Sequence, residues 1–330
     1  MRRTASMKDT LYEITRCPVC DSLDGSELAT REDIQEEVER LWAFHERRLR
    51  EGVPPASLSD RVAFSQDPPL RLAQCDSCGH VYRNPRERRE SLQAVYEDTA
   101  PDDSVLHMLF ETQRAVCAAQ AQRLMRVMGK PGRGLEVGSY FGGFLAAARD
   151  CGWHFEGIDV SKRATEFMSR EGFTVSCEEL TSVTTSRPYD VIAIWNTFEQ
   201  LYDSRAVVVA AHRLLRARGT LVVRIPNGHF YALWRARLRG PMGGIAERVL
   251  AHNNLLSFPY RQGFTSRSLE RLLQRGGFEV VHVFGDTLVP LADQWTTAFG
   301  AVEERVVKRL ERLLQHGWHA PWVEVYARAV

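Results

Sequence analysis

The chain has 330 residues, 44% hydrophobic and 26% charged, a composition that excludes a mainly disordered state and leaves room for two or three domains of about 100–200 residues each. Lys plus Arg number 43 against 42 Asp plus Glu, which argues against a surface built throughout to hold a polyanion. The balance is local: residues 1–100 carry 15 basic and 19 acidic side chains, whereas 201–275 carry 13 arginines against Asp203, Glu247 and Glu270. No apolar run approaches the ~20 residues that cross a bilayer, and the first residues hold no apolar signal core, so a cytoplasmic location is expected.

Two CxxC pairs, Cys17/Cys20 and Cys75/Cys78, use four of the seven cysteines. Each pair is a turn that aims two thiolates at one ion. Cys17, Cys20, Cys75 and Cys78 are therefore expected to hold a structural, tetrahedral Zn²⁺ with no position open for substrate. The 54 residues between Cys20 and Cys75 exceed the usual ribbon spacing and predict a folded insert. Thr30-x-x-Asp33 has the form of a capping box, and Ile34, Val38, Leu41, His45 and Leu49 keep a helical period after it. A Pro-rich loop, VPPASLSD to QDPPL, follows.

The Pro- and Asp-rich stretch AVYEDTAPDD reads as a boundary, giving a zinc-knuckle domain with a helical insert over 1–100 and a second domain over 101–330. Val105 to Met128 reads as one long helix. From Gly134, strands and helices alternate through GLEVG, FLAAARDCG, FEGIDV, ATEFMSREG, FTVS, YDVIAIW, AVVVAAHRLLRA and TLVVRIP. That order predicts an α/β fold with a doubly wound, mostly parallel sheet covered on both faces. A helix and strand in GFTSRSLERLLQRGGFEVVHVFG, an amphipathic helix in VEERVVKRLERLLQHG and a last strand, WVEVYARAV, complete the chain.

The first turn of this sheet, Gly138-Ser139-Tyr140-Phe141-Gly142-Gly143, puts small residues where backbone meets a ligand at a helix N-terminus. Asp159, 21 residues after Gly138 and at the end of the second strand, can accept hydrogen bonds from ribose hydroxyls. Tyr140 occupies the middle glycine of a GxGxxG fingerprint, which disfavours a pyrophosphate and favours a nucleoside without phosphates. These residues resemble the first motif of the class I S-adenosylmethionine-dependent methyltransferases, an acidic residue and then G-x-G-x-G, with an acidic residue ending the second strand. Tyr189-Asp190-Val191-Ile192 leading to Asn196–Leu201, then LLRARGTLVVRIPN, then GFTSRSLERLLQRGGFEVV, are similar to the family's later motifs. A zinc knuckle followed by CGHVYRNP and such a domain resembles a bacterial subgroup that includes sugar C-methyltransferases.

The resemblance implies a seven-stranded Rossmann-like sheet and S-adenosylmethionine held by Glu136, Gly138, Ser139, Tyr140, Gly142, Asp159, Val160, Glu178, Asn196 and Phe198. It implies methyl transfer to an oxygen or carbon of a small-molecule or glycan acceptor. His229, His252 and Tyr260, past the fifth strand, are the candidate proton acceptors. Arg224 and Arg261 are the candidate grips for an anionic acceptor. Tyr140 departs from the family's central glycine, and Gln200 stands where many relatives have histidine, which removes a titratable group. An RNA methyltransferase gripping its substrate with the zinc module is a second reading, against which the net acidic zinc region speaks. A non-catalytic, degenerate methyltransferase fold is a third. HFYALWRARLRG, with Phe230, Trp234 and Leu238 at i, i+4 and i+8, reads as a lid helix with a solvated basic face or as a peripheral membrane contact. The oligomeric state is left open.

Overall fold

The computed structural model describes residues 11–53, 71–90, 103–256, 261–288, 296–314 and 316–330. The first part of the chain holds β1 (Tyr12–Glu13), β2 (Gly25–Ala29), α1 (Arg31–Glu46), β3 (Leu72–Cys75), β4 (Val81–Arg83) and β5 (Arg86–Glu87). Then come α2 (Asp103–Met128), β6 (Arg133–Val137), α3 (Gly143–Asp150), β7 (His154–Asp159), α4 (Lys162–Arg170), β8 (Val175–Cys177) and β9 (Tyr189–Trp195). A 3-10 turn (Phe198–Gln200) leads to α5 (Ser204–Leu214), β10 (Leu215–Pro226), α6 (Gly228–Arg235), α7 (Gly243–His252) and β11 (Gln262–Gly263). The chain ends with α8 (Ser266–Arg275), β12 (Phe278–Asp286), α9 (Ala298–Leu314) and β13 (Trp322–Ala329).

Seven strands form one sheet in the order β12-β13-β10-β9-β6-β7-β8. Its strands from β10 to β8 run parallel, and β13 lies antiparallel between β10 and β12. Continuous apolar runs are what a sheet covered on both faces requires. Along β9, Ile192 and Ile194 join the core of one face, while Val191, Ala193 and Trp195 join the other. Val207 and Val208 of α5 and Leu269 and Leu272 of α8 cover the first face. The second is covered by Phe110 and Leu124 of α2, Phe144 of α3 and Phe167 of α4.

The capping box of α1 forms as expected: the Asp33 amide donates to Thr30 Oγ1 at 3.2 Å, and the Thr30 amide to the Asp33 carboxylate at 3.0 Å. Ile34, Leu41 and Phe44 of this helix share a third core with Phe230, Tyr231, Leu250, Leu255 and Trp322. The strand that ends in Cys75 belongs to a second sheet, β11-β4-β3-β2, whose edge strand comes from residues 262–263. Cys17, Val19, Cys75, Cys78 and Tyr82 belong to the same core as Phe198 and Phe264. The boundary expected near residue 100 lies outside the described residues, as does the Pro-rich loop from residue 54 to 70; on either side of them the packing is continuous. The insertion between β10 and β12 supplies α7 and β11, two elements the sequence reading lacks, and these receive the N-terminal segment. No described helix is long and apolar enough to cross a membrane.

Candidate functional site

The turn between β6 and α3 sits at the carboxyl end of the parallel strands, where open α/β sheets bind ligands. Gly138 and Gly142 are left-handed, with φ of +71° and +78°. A Cβ on Gly138 would run into the Thr197 side chain, so the close approach of the turns after β6 and β9 requires glycine. Tyr140 is left-handed too, at φ +49°, an uncommon conformation for an aromatic residue. It is held there: its amide donates to Asp159 Oδ2 at 2.9 Å, and its ring lies 3.6 Å, centroid to centroid, from Phe141. Tyr140 thus adopts the backbone that glycine would adopt, with its ring left 37% exposed beside the turn.

Asp159 Oδ1 accepts from the Ser161 amide at 2.8 Å. Two amides therefore aim the carboxylate while leaving each oxygen a lone pair for a hydroxyl. Burial still raises its pKa. Glu136 is 4% exposed, and its Oε2 has no hydrogen-bond partner among the described residues. Burial, then the Asp159 charge, lift its pKa well above the ordinary carboxylate value. Such a group is costly to keep without a partner, so these residues fit a ligand that brings ribose hydroxyls to Asp159 and a cationic N–H donor to Glu136.

The other expected cofactor residues divide. Ser139 is buried, its hydroxyl donating to Ile158 O at 3.2 Å, and shapes the turn. Val160 is exposed and Glu178 partly so, and Cys177 Sγ donates to Val160 O at 3.5 Å, tying the ends of β7 and β8 together. Asn196 is exposed and left-handed at φ +55°, its Oδ1 accepting from Arg224. Phe198 is a correction: it is wholly buried, 5.1 Å from the Phe264 ring, and belongs to the core. Sequence reasoning left Thr197 and Glu199 without a role. Thr197 abuts Gly138, and Glu199 is wholly buried with its pKa raised by desolvation to about 8. Glu199 lies in the quoted Asn196–Leu201 motif, a signal that could have singled it out.

The arginines expected to grip an acceptor are consumed. Arg224 is 1% exposed; its Nε donates to Asp286 at 2.6 Å and a terminal nitrogen to Thr287 O at 3.0 Å. Arg261 donates to buried Glu87 at 2.9 Å. Both are structural because each finds a carboxylate on a neighbouring element. Arg224→Gln should accordingly lower stability by about 3 kcal/mol or more, the cost of opening a buried ion pair, as read by urea unfolding.

His252 is also corrected. It is buried, its Nδ1 3.1 Å from Glu304 Oε2, with Phe44 edge-on at 4.8 Å. Burial would raise Glu304, yet hydrogen bonds from His252 and Arg48 hold it down at about 2. A carboxylate lowered on folding contributes stability above its unfolded pKa of about 4.3, and that stability is lost as pH falls toward 2. Between pH 5 and 2, Glu304→Gln should therefore lose stability less steeply with acid than the parent chain when followed by circular dichroism. Tyr260 lies outside the described residues. His229 is exposed on the first turn of α6, directly past β10, its amide capped by Asn227 Oδ1 at 3.0 Å.

The four expected metal ligands converge. Cys17 and Cys78 sulfurs are 3.6 Å apart, Cys20 and Cys75 3.5 Å, and all four lie within 4.8 Å of one another. These separations exclude disulfides, whose sulfurs are ~2.05 Å apart, and approach the ~3.8 Å edge of a tetrahedron with 2.3 Å Zn–S bonds. The hydrogen bond between Cys17 and Cys78 lowers the Cys78 thiol and raises that of Cys17. A cavity of about 580 Å³ opens at the other end of the sheet, lined by Arg133, Arg149, Trp153 and His154, away from Gly138 and Asp159.

The family described as "Methyltransferase domain" matches residues 109–283. Among solved structures, a SAM-dependent methyltransferase from Archaeoglobus fulgidus is 17% identical with a TM-score of 0.45, covering 67% of this chain and 99% of its own. A possible histamine N-methyltransferase from Thermotoga maritima is 16% identical with a TM-score of 0.43, covering 67% and 93%. The plantazolicin methyltransferase BamL, in complex with a triazolic desmethylPZN analog and SAH, is 12% identical with a TM-score of 0.42, covering 91% and 97%. No curated protein matches the chain.

Proposed function

The chain belongs to the methyltransferase-domain family and is an S-adenosylmethionine-dependent methyltransferase, and on that premise we propose that its acceptor is a small molecule or glycan methylated on oxygen or carbon. The observation that carries the cofactor site is the pairing of Asp159, aimed by two amides, with the buried and under-partnered Glu136. The cofactor, when bound, supplies an electrophilic methyl group on a sulfonium. The chain supplies alignment: the left-handed turn after β6 brings backbone close, Asp159 takes the ribose hydroxyls, and Glu136 takes the cationic amine. Orientation of this kind is the main lever on an in-line displacement. Of the proposed proton acceptors within the described residues, His229 is exposed just past β10, and in this reading it takes the proton from the acceptor.

In the same reading Cys17, Cys20, Cys75 and Cys78 hold one structural Zn²⁺, which anchors the N-terminal sheet beside the methyltransferase core. Glu136→Gln is the direct test of the cofactor reading. Calorimetric titration with S-adenosylhomocysteine should show affinity reduced about tenfold or more, since a charge-assisted hydrogen bond is worth about 1.5–3 kcal/mol. Unchanged affinity would contradict the assignment of Glu136 to the amine.

A further inference from the structure

Helix α9 turns Glu304 and Glu311 inward, and its half-buried Glu303 is engaged from the protein side. Glu304 meets Arg48 and His252, Glu303 lies 3.4 Å from Arg48, and Glu311 accepts from Lys308 at 3.1 Å and also from Asn253. The outward side chains are of a different kind. Phe299, Val302, Val306, Leu310 and Leu313 are each at least half exposed, Phe299 to 78%. Their spacing of three or four residues lays them in one stripe along a helix about 25 Å long. Arg305, Arg309 and Arg312 are exposed along one edge of that stripe, and none pairs with a carboxylate among the described residues.

A contiguous exposed apolar stripe marks a docking surface. We propose that this face of α9 docks on an anionic lipid surface, the helix lying in the interface with its apolar stripe among the acyl chains and its arginines at the headgroups. Charge decides the occupant. Among the described residues, the outward face presents three positive charges and no carboxylate more than about a quarter exposed. A second copy laid antiparallel would set the arginine edge against itself, because a two-fold axis brings the same edge of both helices together. Laid parallel, it would set the arginines against Val307 and Glu303, and Glu303 is already engaged by Arg48 and His252. An anionic bilayer answers both features, attracting the arginines and dissolving the stripe.

The buried face keeps the helix fixed while it does so. Lys308 donates to His252 O at 2.9 Å, and Arg48 to Gly300 O at 3.1 Å, joining α9 to α7 and to the segment following α1. The other stretch read as a membrane contact, HFYALWRARLRG, has no free apolar face of comparable length. Phe230 is buried against the α1 core, and Arg235 and Arg239 both reach Asp33.

Co-sedimentation of the full chain with vesicles tests the proposal. It should partition onto equimolar phosphatidylglycerol/phosphatidylcholine vesicles, stay in solution with phosphatidylcholine alone, and be released by salt. The triple variant Arg305→Gln/Arg309→Gln/Arg312→Gln should bind about 100-fold more weakly, as ~1 kcal/mol per arginine implies. Val306→Asp/Leu310→Asp should also release the chain. Both variants should keep the parent circular dichroism and its affinity for S-adenosylhomocysteine. Equal sedimentation with both vesicle types would overturn the proposal, as would partition unchanged in either variant. So would a concentration-dependent dimer in ultracentrifugation that Val306→Asp/Leu310→Asp dissolves.

Discussion

Gly138→Val should abolish detectable binding of S-adenosylhomocysteine in a calorimetric titration, and Asp159→Ala should weaken it by about 10- to 100-fold. A β-branched residue at φ +71° pays roughly 1–3 kcal/mol for the backbone alone. Its Cβ must also displace Thr197 from the turn after β9, which spreads the two turns that line the site. Asp159→Ala acts differently. It removes the acceptor of the Tyr140 and Ser161 amides and any hydroxyl bonds made in the complex, each worth about 1.5–3 kcal/mol when the acceptor is charged. Its turn loses its anchor at the left-handed Tyr140, so part of the loss is entropic. Circular dichroism should report an intact fold in both. Parent-like affinity in both variants would move the cofactor elsewhere.

Loss of the metal should cost more than the N-terminal segment. The double variant Cys17→Ser/Cys75→Ser should hold less than a tenth of the zinc found in the parent, expected at one ion per chain. Its melting temperature should fall by on the order of 10 °C, since several kcal/mol of metal binding is folding free energy. The cysteines share a core with Phe198, Phe264 and Leu269, and β4 carries β11 as its neighbour. Hydrogen exchange should therefore quicken in residues 262–273 as well as in 11–90. Full zinc occupancy in the variant would refute the site, and exchange confined to residues 11–90 would refute the shared core.

What the amino-acid order determined by itself is local and periodic. Short apolar runs alternating with segments of helical period gave the sheet and its covering helices, because a strand buried on both faces and an amphipathic helix each leave a short-range signature. The capping box of α1, the two CxxC turns and the Gly138–Asp159 relation were legible for the same reason: each is a spacing within one turn or one βαβ unit. The destinations of charged side chains were not. Arg224 at a strand end and His252 at a helix end look alike in sequence whether they face a cleft or a carboxylate on a distant element. Only the packed chain shows Asp286 and Glu304 waiting for them.

The charge imbalance has the same explanation. Six of the thirteen arginines between residues 201 and 275 form ion pairs among the described residues, and four of them reach back to the acidic first hundred: Arg205 to Asp21, Arg235 to Asp33 and Glu37, Arg239 to Asp33, Arg261 to Glu87. A basic stretch that read as a grip for an anionic acceptor is matched in part by the acidic segment docked on it. Complementarity between segments about 200 residues apart depends on which surfaces the hydrophobic cores bring together, and that is decided by tertiary packing.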